Sequence, residues 1–157
     1  MKRVLVLVAS HSATVLIGFA LGIYLLPILT AQSSPDAAVL EAAASEAAYS
    51  ANLMRDLPGS DGFHWGEGKI SVSREQIIHE GELAPGPDYK VYLAPSFADD
   101  EESFEAIKPE SVFIGDVTSF EGFLLSIPDG VEIHDYNTVV VWCESFGEFI
   151  TAAQYRS

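Results

Sequence analysis

Cys143 is the only cysteine among 157 residues, and it closes the strongly β-forming run T-V-V-V-W-C, Thr138 to Cys143. A lone cysteine excludes an intramolecular disulfide, a C-x-x-C redox pair, a c-type haem attachment and any four-thiolate cluster. What remains is a thiol that cycles through sulfenic acid or a mixed disulfide, or that ligates a soft metal such as copper(I) or zinc. The thiolate is the reactive form, with an ordinary pKa of about 8.5, and acidic surroundings push that value up rather than down. Reactivity therefore needs a cationic or basic neighbour, and a histidine is the natural donor.

His64 is the histidine with the most informative context. It opens H-W-G-E-G-K-I-S, where Gly66 and Gly68 alternate ahead of a strand. Alternating glycines suit a bulge, a tight turn or close approach by another group. Cys143 and His64 are thus the candidate metal or redox pair, with Trp65 and Trp142 as the aromatic side chains that would shape a site. Asp88, in P-G-P-D-Y, is a turn residue in its simplest reading and a binding candidate otherwise. His79 and His134, in H-E-G-E and H-D-Y-N, read as surface residues. A blue-copper set is incomplete, because Met54 stands far from the β region and no histidine follows Cys143. G-x-S-x-G, H-E-x-x-H and P-loop motifs are absent, so hydrolytic and phosphoryl-transfer chemistry has no constellation to rest on.

These residues need elements to hold them. From Phe63 onward short apolar runs recur at all-β spacing: 69–72, 75–78, 89–94, 111–117, 123–127, 131–133, 138–143 and 146–152. Pro85-Gly86-Pro87-Asp88, Pro95, Pro109 and Pro128-Asp129-Gly130 punctuate them. No long helical period intervenes, which argues against βαβ units. The expected fold is an all-β antiparallel sandwich or flattened barrel. Within the closing strand, alternation places Val139, Val141 and Cys143 on one face and Val140 and Trp142 on the other. If the valine face is inward, the thiol points at the core.

Ahead of the β region lie two different segments. Val4 to Ala31 carries no charged residue and follows Lys2 and Arg3. A helix that long exceeds a hydrocarbon core of about 30 Å, and the flanking charges keep its N-terminus cytoplasmic. The remainder would then be periplasmic or extracellular. The competing reading is a cleaved signal peptide ending near Ala31-Gln32-Ser33, against which stands the length of the apolar stretch. Gly18 and Gly22 make a G-x-x-x-G spacing that suits a weak homodimer. Ser34-Pro35-Asp36 then starts an Ala-rich segment, read as a helical stalk to about Leu57. The organisation expected is an anchor over residues 1–31, a linker over 32–60 and a β domain over 61–157.

All 23 acidic residues lie beyond Ala31 against six of the eight basic ones, a net charge of −17 for that part. Such a surface repels nucleic acid and anionic headgroups. Asp99-Asp100-Glu101-Glu102 lacks the ligand spacing of a calcium loop and reads as solvated loop.

Three stretches together resemble the DM-thirteen, or electron-transfer DM, domain family: H-W-G-E-G-K-I-S, then P-G-P-D-Y-K-V-Y-L at 85–93, then T-V-V-V-W-C-E-S-F-G-E-F-I-T-A-A at 138–153. The resemblance covers about residues 62–155. It implies that Cys143 matches the family's near-invariant cysteine, from which a redox or electron-transfer role has been proposed. It names no cofactor, and a redox protein partner would have to come from another chain. Two functions follow as expectations. One is a membrane-anchored redox module centred on Cys143. The other is a non-catalytic exported sandwich that binds a protein or glycan, with Cys143 packed as a small hydrophobe. The first requires Cys143 near His64 and reachable through a cleft; the second requires a sealed thiol.

Overall fold

The computed structural model describes all 157 residues. Helix α1, Lys2–Thr30, has no buried residue, and a short helix α2, Ala37–Ser45, follows. The strands are β1 Tyr49–Leu53, β2 Gly66–Val72, β3 Gln76–Leu83, β4 Tyr89–Ala94, β5 Val112–Asp116, β6 Phe123–Ser126, β7 Thr138–Cys143 and β8 Glu148–Gln154. Helix α3, Glu101–Ile107, lies between β4 and β5. Two antiparallel four-stranded sheets, ordered β1-β2-β3-β6 and β5-β4-β7-β8, form a β-sandwich.

The period-2 pattern sorts the residues into two cores. Between the sheets pack Ile70, Val72, Ile77, Leu83, Val91, Leu93, Val139, Val141, Cys143 and Ile150, among others. On the outer side of the second sheet, Tyr92, Val140, Trp142 and Phe149 pack around Phe104 of α3. Strand β7 is consequently buried at every position. A strand covered on both faces reads as a continuous apolar run, which is why T-V-V-V-W-C shows no polar alternation. The valine face that carries Cys143 is the inward one.

Several segments differ from the sequence expectation. The Ala-rich helix begins at Ala37 with Asp36 at its N-cap, because Ser34 instead pairs its hydroxyl with that of Ser119. That helix ends at Ser45, and the presumed stalk becomes strand β1, paired with β2 from Tyr49↔Val72 to Leu53↔Gly68. Residues 131–133 form no strand; a single 3₁₀ turn covers Ile133–Asp135. The acidic run at 99–102 starts α3 rather than a loop: Asp100 accepts from the Ser103 amide at 2.8 Å while Ser103 Oγ accepts from the Asp100 amide at 3.2 Å. Acids at an N-terminus complement the helix dipole. His79 is the largest departure. It is 0 % exposed, on the inner face of β3, with Nε2 3.0 Å from the Glu67 carbonyl and its ring against Phe123. Sequence context suggested surface because Glu80 and Glu82 follow it, but those residues face the opposite side of the same strand.

Candidate functional site: a cleft at the end of the sandwich

Strands β4 and β7 pair so that Tyr89 stands opposite Cys143. This pair marks one end of the sandwich, where three connections meet. The first is the Pro85-Gly86-Pro87-Asp88 turn before β4; the second is the Asp61–Trp65 loop before β2; the third is the Glu144–Gly147 turn after β7. Together with Ile23 and Tyr24 of α1, they enclose a cleft of about 290 Å³. Cys143, His64, Tyr89 and Glu148 line it, with Phe63 and Phe146 at its rim.

Each connection is fixed by its own residues. Asp88 adopts φ +55, a conformation that short polar side chains tolerate best. Its carbonyl accepts the Glu144 amide at 3.0 Å, and its carboxylate accepts Ser145 Oγ at 2.6 Å and the Lys90 ammonium at 2.8 Å. Lys90 and then Ser145 hold that carboxyl below its ordinary range. Asp88 therefore clamps the β4 turn to the β7 turn and does not line the thiol cleft. Gly86 packs on the Tyr89 ring; a Cβ there would lie 2.3 Å from the phenolic oxygen. Tyr89 is itself buried, and burial keeps its hydroxyl protonated.

Cys143 is 2 % exposed and donates from Sγ to the Pro87 carbonyl at 3.0 Å. Burial raises its pKa above the ordinary value, and the charges of Asp88 and Glu148 add to the rise, opposed by the backbone at Phe146 and Ser145. The resting group is a neutral thiol. His64 is partly exposed, and Asp61 organises it. One Asp61 oxygen accepts the amides of Phe63 at 2.6 Å and His64 at 2.7 Å, and its carboxylate stands 3.2 Å from His64 Nδ1. These backbone bonds outweigh the burial cost and hold the Asp61 carboxyl low. A carboxylate at Nδ1 demands a proton there, which leaves Nε2 as the free acceptor.

The cleft thus unites two sequence-designated residues, Cys143 and His64. The tryptophans lie elsewhere. Trp142 points to the outer core, its ring 5.1 Å from Phe104 and 5.2 Å from Lys108 Nζ, and Trp65 lies under the Arg55 guanidinium at 3.5 Å. Neither lines the cleft. Tyr89, Phe63, Phe146 and Glu148 were not singled out from sequence. Only strand pairing reveals them, although Tyr89 directly follows the P-G-P-D turn. Nowhere in the chain do three His, Cys, Asp or Glu side chains gather in metal-binding geometry. Cys143 and His64 alone are two donors, short of the three or four protein ligands of a zinc site or a blue-copper site.

A two-sheet domain with one thiol at the base of an end cleft, and no metal cage, is the class of molecule that fold and site define. The family model described as electron transfer DM13 matches residues 59–155, well over half of the chain, and the chain belongs to that family. No curated protein and no solved structure matches it.

Proposed function

We propose that the chain is a membrane-anchored redox module outside the cytoplasm, with Cys143 as the reacting thiol and His64 as its proton acceptor. The observation that carries this reading is the shared cleft: residues far apart in sequence, one a thiol and one an organised imidazole, line the same opening. Membership of an electron-transfer family supports it. Helix α1 is long and apolar enough to cross a bilayer. Its retention is supported by Ile23 and Tyr24, which form part of the cleft wall and would be lost with a cleaved signal.

With no second cysteine in the chain, a disulfide route requires a sulfur from a partner protein. In the step we propose, His64 takes the Cys143 proton and the sulfur attacks a partner's disulfide. One S–S bond forms, one breaks, and the partner's leaving sulfur departs as a thiol once protonated. A partner carrying two thiols then reduces the mixed disulfide. One of its thiols attacks the Cys143 sulfur and releases the first partner's remaining sulfur as a thiol; the other closes a disulfide in the donor and releases Cys143. Two electrons thus pass from the dithiol partner to the disulfide partner. A base in the same cleft as a high-pKa thiol serves such a step, because only the thiolate attacks.

The test is alkylation of native full-length protein in detergent, followed against pH. Reaction without unfolding, abolished in Cys143→Ala and slowed about tenfold or more at pH 7 in His64→Gln, is the expected result. A second reading, a ligand-binding sandwich with Cys143 as packing, is favoured by the thiol's 2 % exposure. A thiol that reacts only after denaturation would establish that reading and remove the first.

A further inference from the structure

The cleft's rim is apolar, and it lies where the long helix leaves the span a bilayer can cover. About 20 helical residues cross a hydrocarbon core of about 30 Å. Counted from Val4, just after Lys2 and Arg3, the span ends near Ile23. Helix α1 nevertheless runs on to Thr30. The domain meets it around that boundary: Tyr24 makes an edge-to-face contact with Phe63, with ring centroids 6.5 Å apart. A groove runs between Gly22, Ile23 and Leu26 on one side and Pro87 and Phe146 on the other. Just past the helix, the Gln32 amide donates to the Thr118 carbonyl at 2.8 Å, so little chain separates helix from sandwich.

Two large apolar side chains project from this end of the domain. Phe63 is 68 % exposed and Phe146 is 53 % exposed. Each stands at the tip of a connection that forms the cleft. Aromatic side chains are favoured at the headgroup level, where an apolar ring meets water on one side and acyl chains on the other.

We infer that this rim is a lipid-docking surface: Phe63 and Phe146 insert into the outer leaflet beside α1, so the cleft holding Cys143 opens at the bilayer interface. The inference rests on the anchored topology proposed above. It commits to a lipid surface rather than a protein because the exposed rings continue the apolar face of a membrane-spanning helix at the matching depth. The rim's charged groups, Asp61 and Glu148, are acidic, which matches a zwitterionic leaflet and opposes an anionic one.

The experiment uses full-length Cys143→Ala protein carrying one new cysteine, in place of Phe63, Phe146 or Asp129. Asp129 is exposed in the turn after β6, at the opposite end of the sandwich. Each variant is labelled with a bimane fluorophore and reconstituted into phosphatidylcholine vesicles with brominated acyl chains. All three positions are exposed, and circular dichroism verifies the fold. Quenching of at least about twofold at positions 63 and 146, with none at 129, is expected. Protein that withstands carbonate washing yet shows unquenched labels at 63 and 146 overturns this inference alone. Protein released by carbonate overturns the anchored topology and this inference with it.

Discussion

Burial sets the protonation state of two side chains that the fold places between its sheets. His79 donates Nε2–H to the Glu67 carbonyl, and Nδ1 has no partner. A proton added at Nδ1 would be a charge without an acceptor in a medium of low polarity, and burial pushes this imidazole below its ordinary pKa of 6.5. The unfolded chain then binds the proton more readily than the native one, so stability is complete above pH 6.5 and declines as pH falls below it. Urea melts at pH 7.5, 6 and 5 should show a loss of up to about 1.4 kcal/mol per pH unit over that interval. His79→Leu should flatten the profile there. Below it, Asp61, Asp88 and Glu144, whose carboxyls are all held low, lose their bonded partners and set a separate acid limb. Strand alternation placed Cys143 on the face of Val139 and Val141, and the packing of the two sheets makes that face the inward one. The burial of His79 was not legible, because the apolar run expected there ends at Ile78, and only pairing with β2 carries the strand on through H-E-G-E to Leu83.

Among the elements, β2 shows why a glycine pattern was visible while its purpose was not. Gly66 and Gly68 share the inner face with Ile70 and Val72. A Cβ at Gly66 would lie 2.5 Å from Thr151 Cγ2, on β8 of the opposite sheet. Gly68 stands opposite Gly81 of β3, with φ +119, and a Cβ there would lie 2.4 Å from the Glu80 carbonyl oxygen. The alternation serves close approach, between sheets at one position and between strands at the other. Gly68→Ala should cost about 1–3 kcal/mol from backbone strain, seen as a lower melting temperature, while the fold's circular dichroism is retained below the transition. Strand positions 89–94 and 138–143 were legible to the residue, since both are apolar runs with proline or polar stops. Strand β1 was not: Y-S-A-N-L follows an alanine-rich helix without a breaker, and only its pairing with β2 makes it a strand.

For the whole molecule, β1 shifts the start of the folded unit. The family match begins at residue 59, yet Leu53 is buried in the inter-sheet core and β1 covers one edge of β2. A chain beginning at Gly59 would leave that edge unpaired, a template for association with other strands. It should melt lower and aggregate at concentrations where a chain beginning at Ser34 stays monomeric by light scattering. The sandwich class and the N-terminal helix were readable from periodicity and charge. The end cleft was not, because it exists only through the order of strands in two sheets.

The bond from Gln32 to Thr118 has one more consequence. In the anchored topology proposed above, a domain joined to its helix without slack would not sweep a volume above the membrane in search of a partner. Its encounters would become a two-dimensional search, with collision frequency set by density in the plane and by lateral diffusion, and with the cleft held at one fixed height. A partner tethered in the same bilayer with its reacting group at that height would meet this protein far more often than a soluble one at equal abundance.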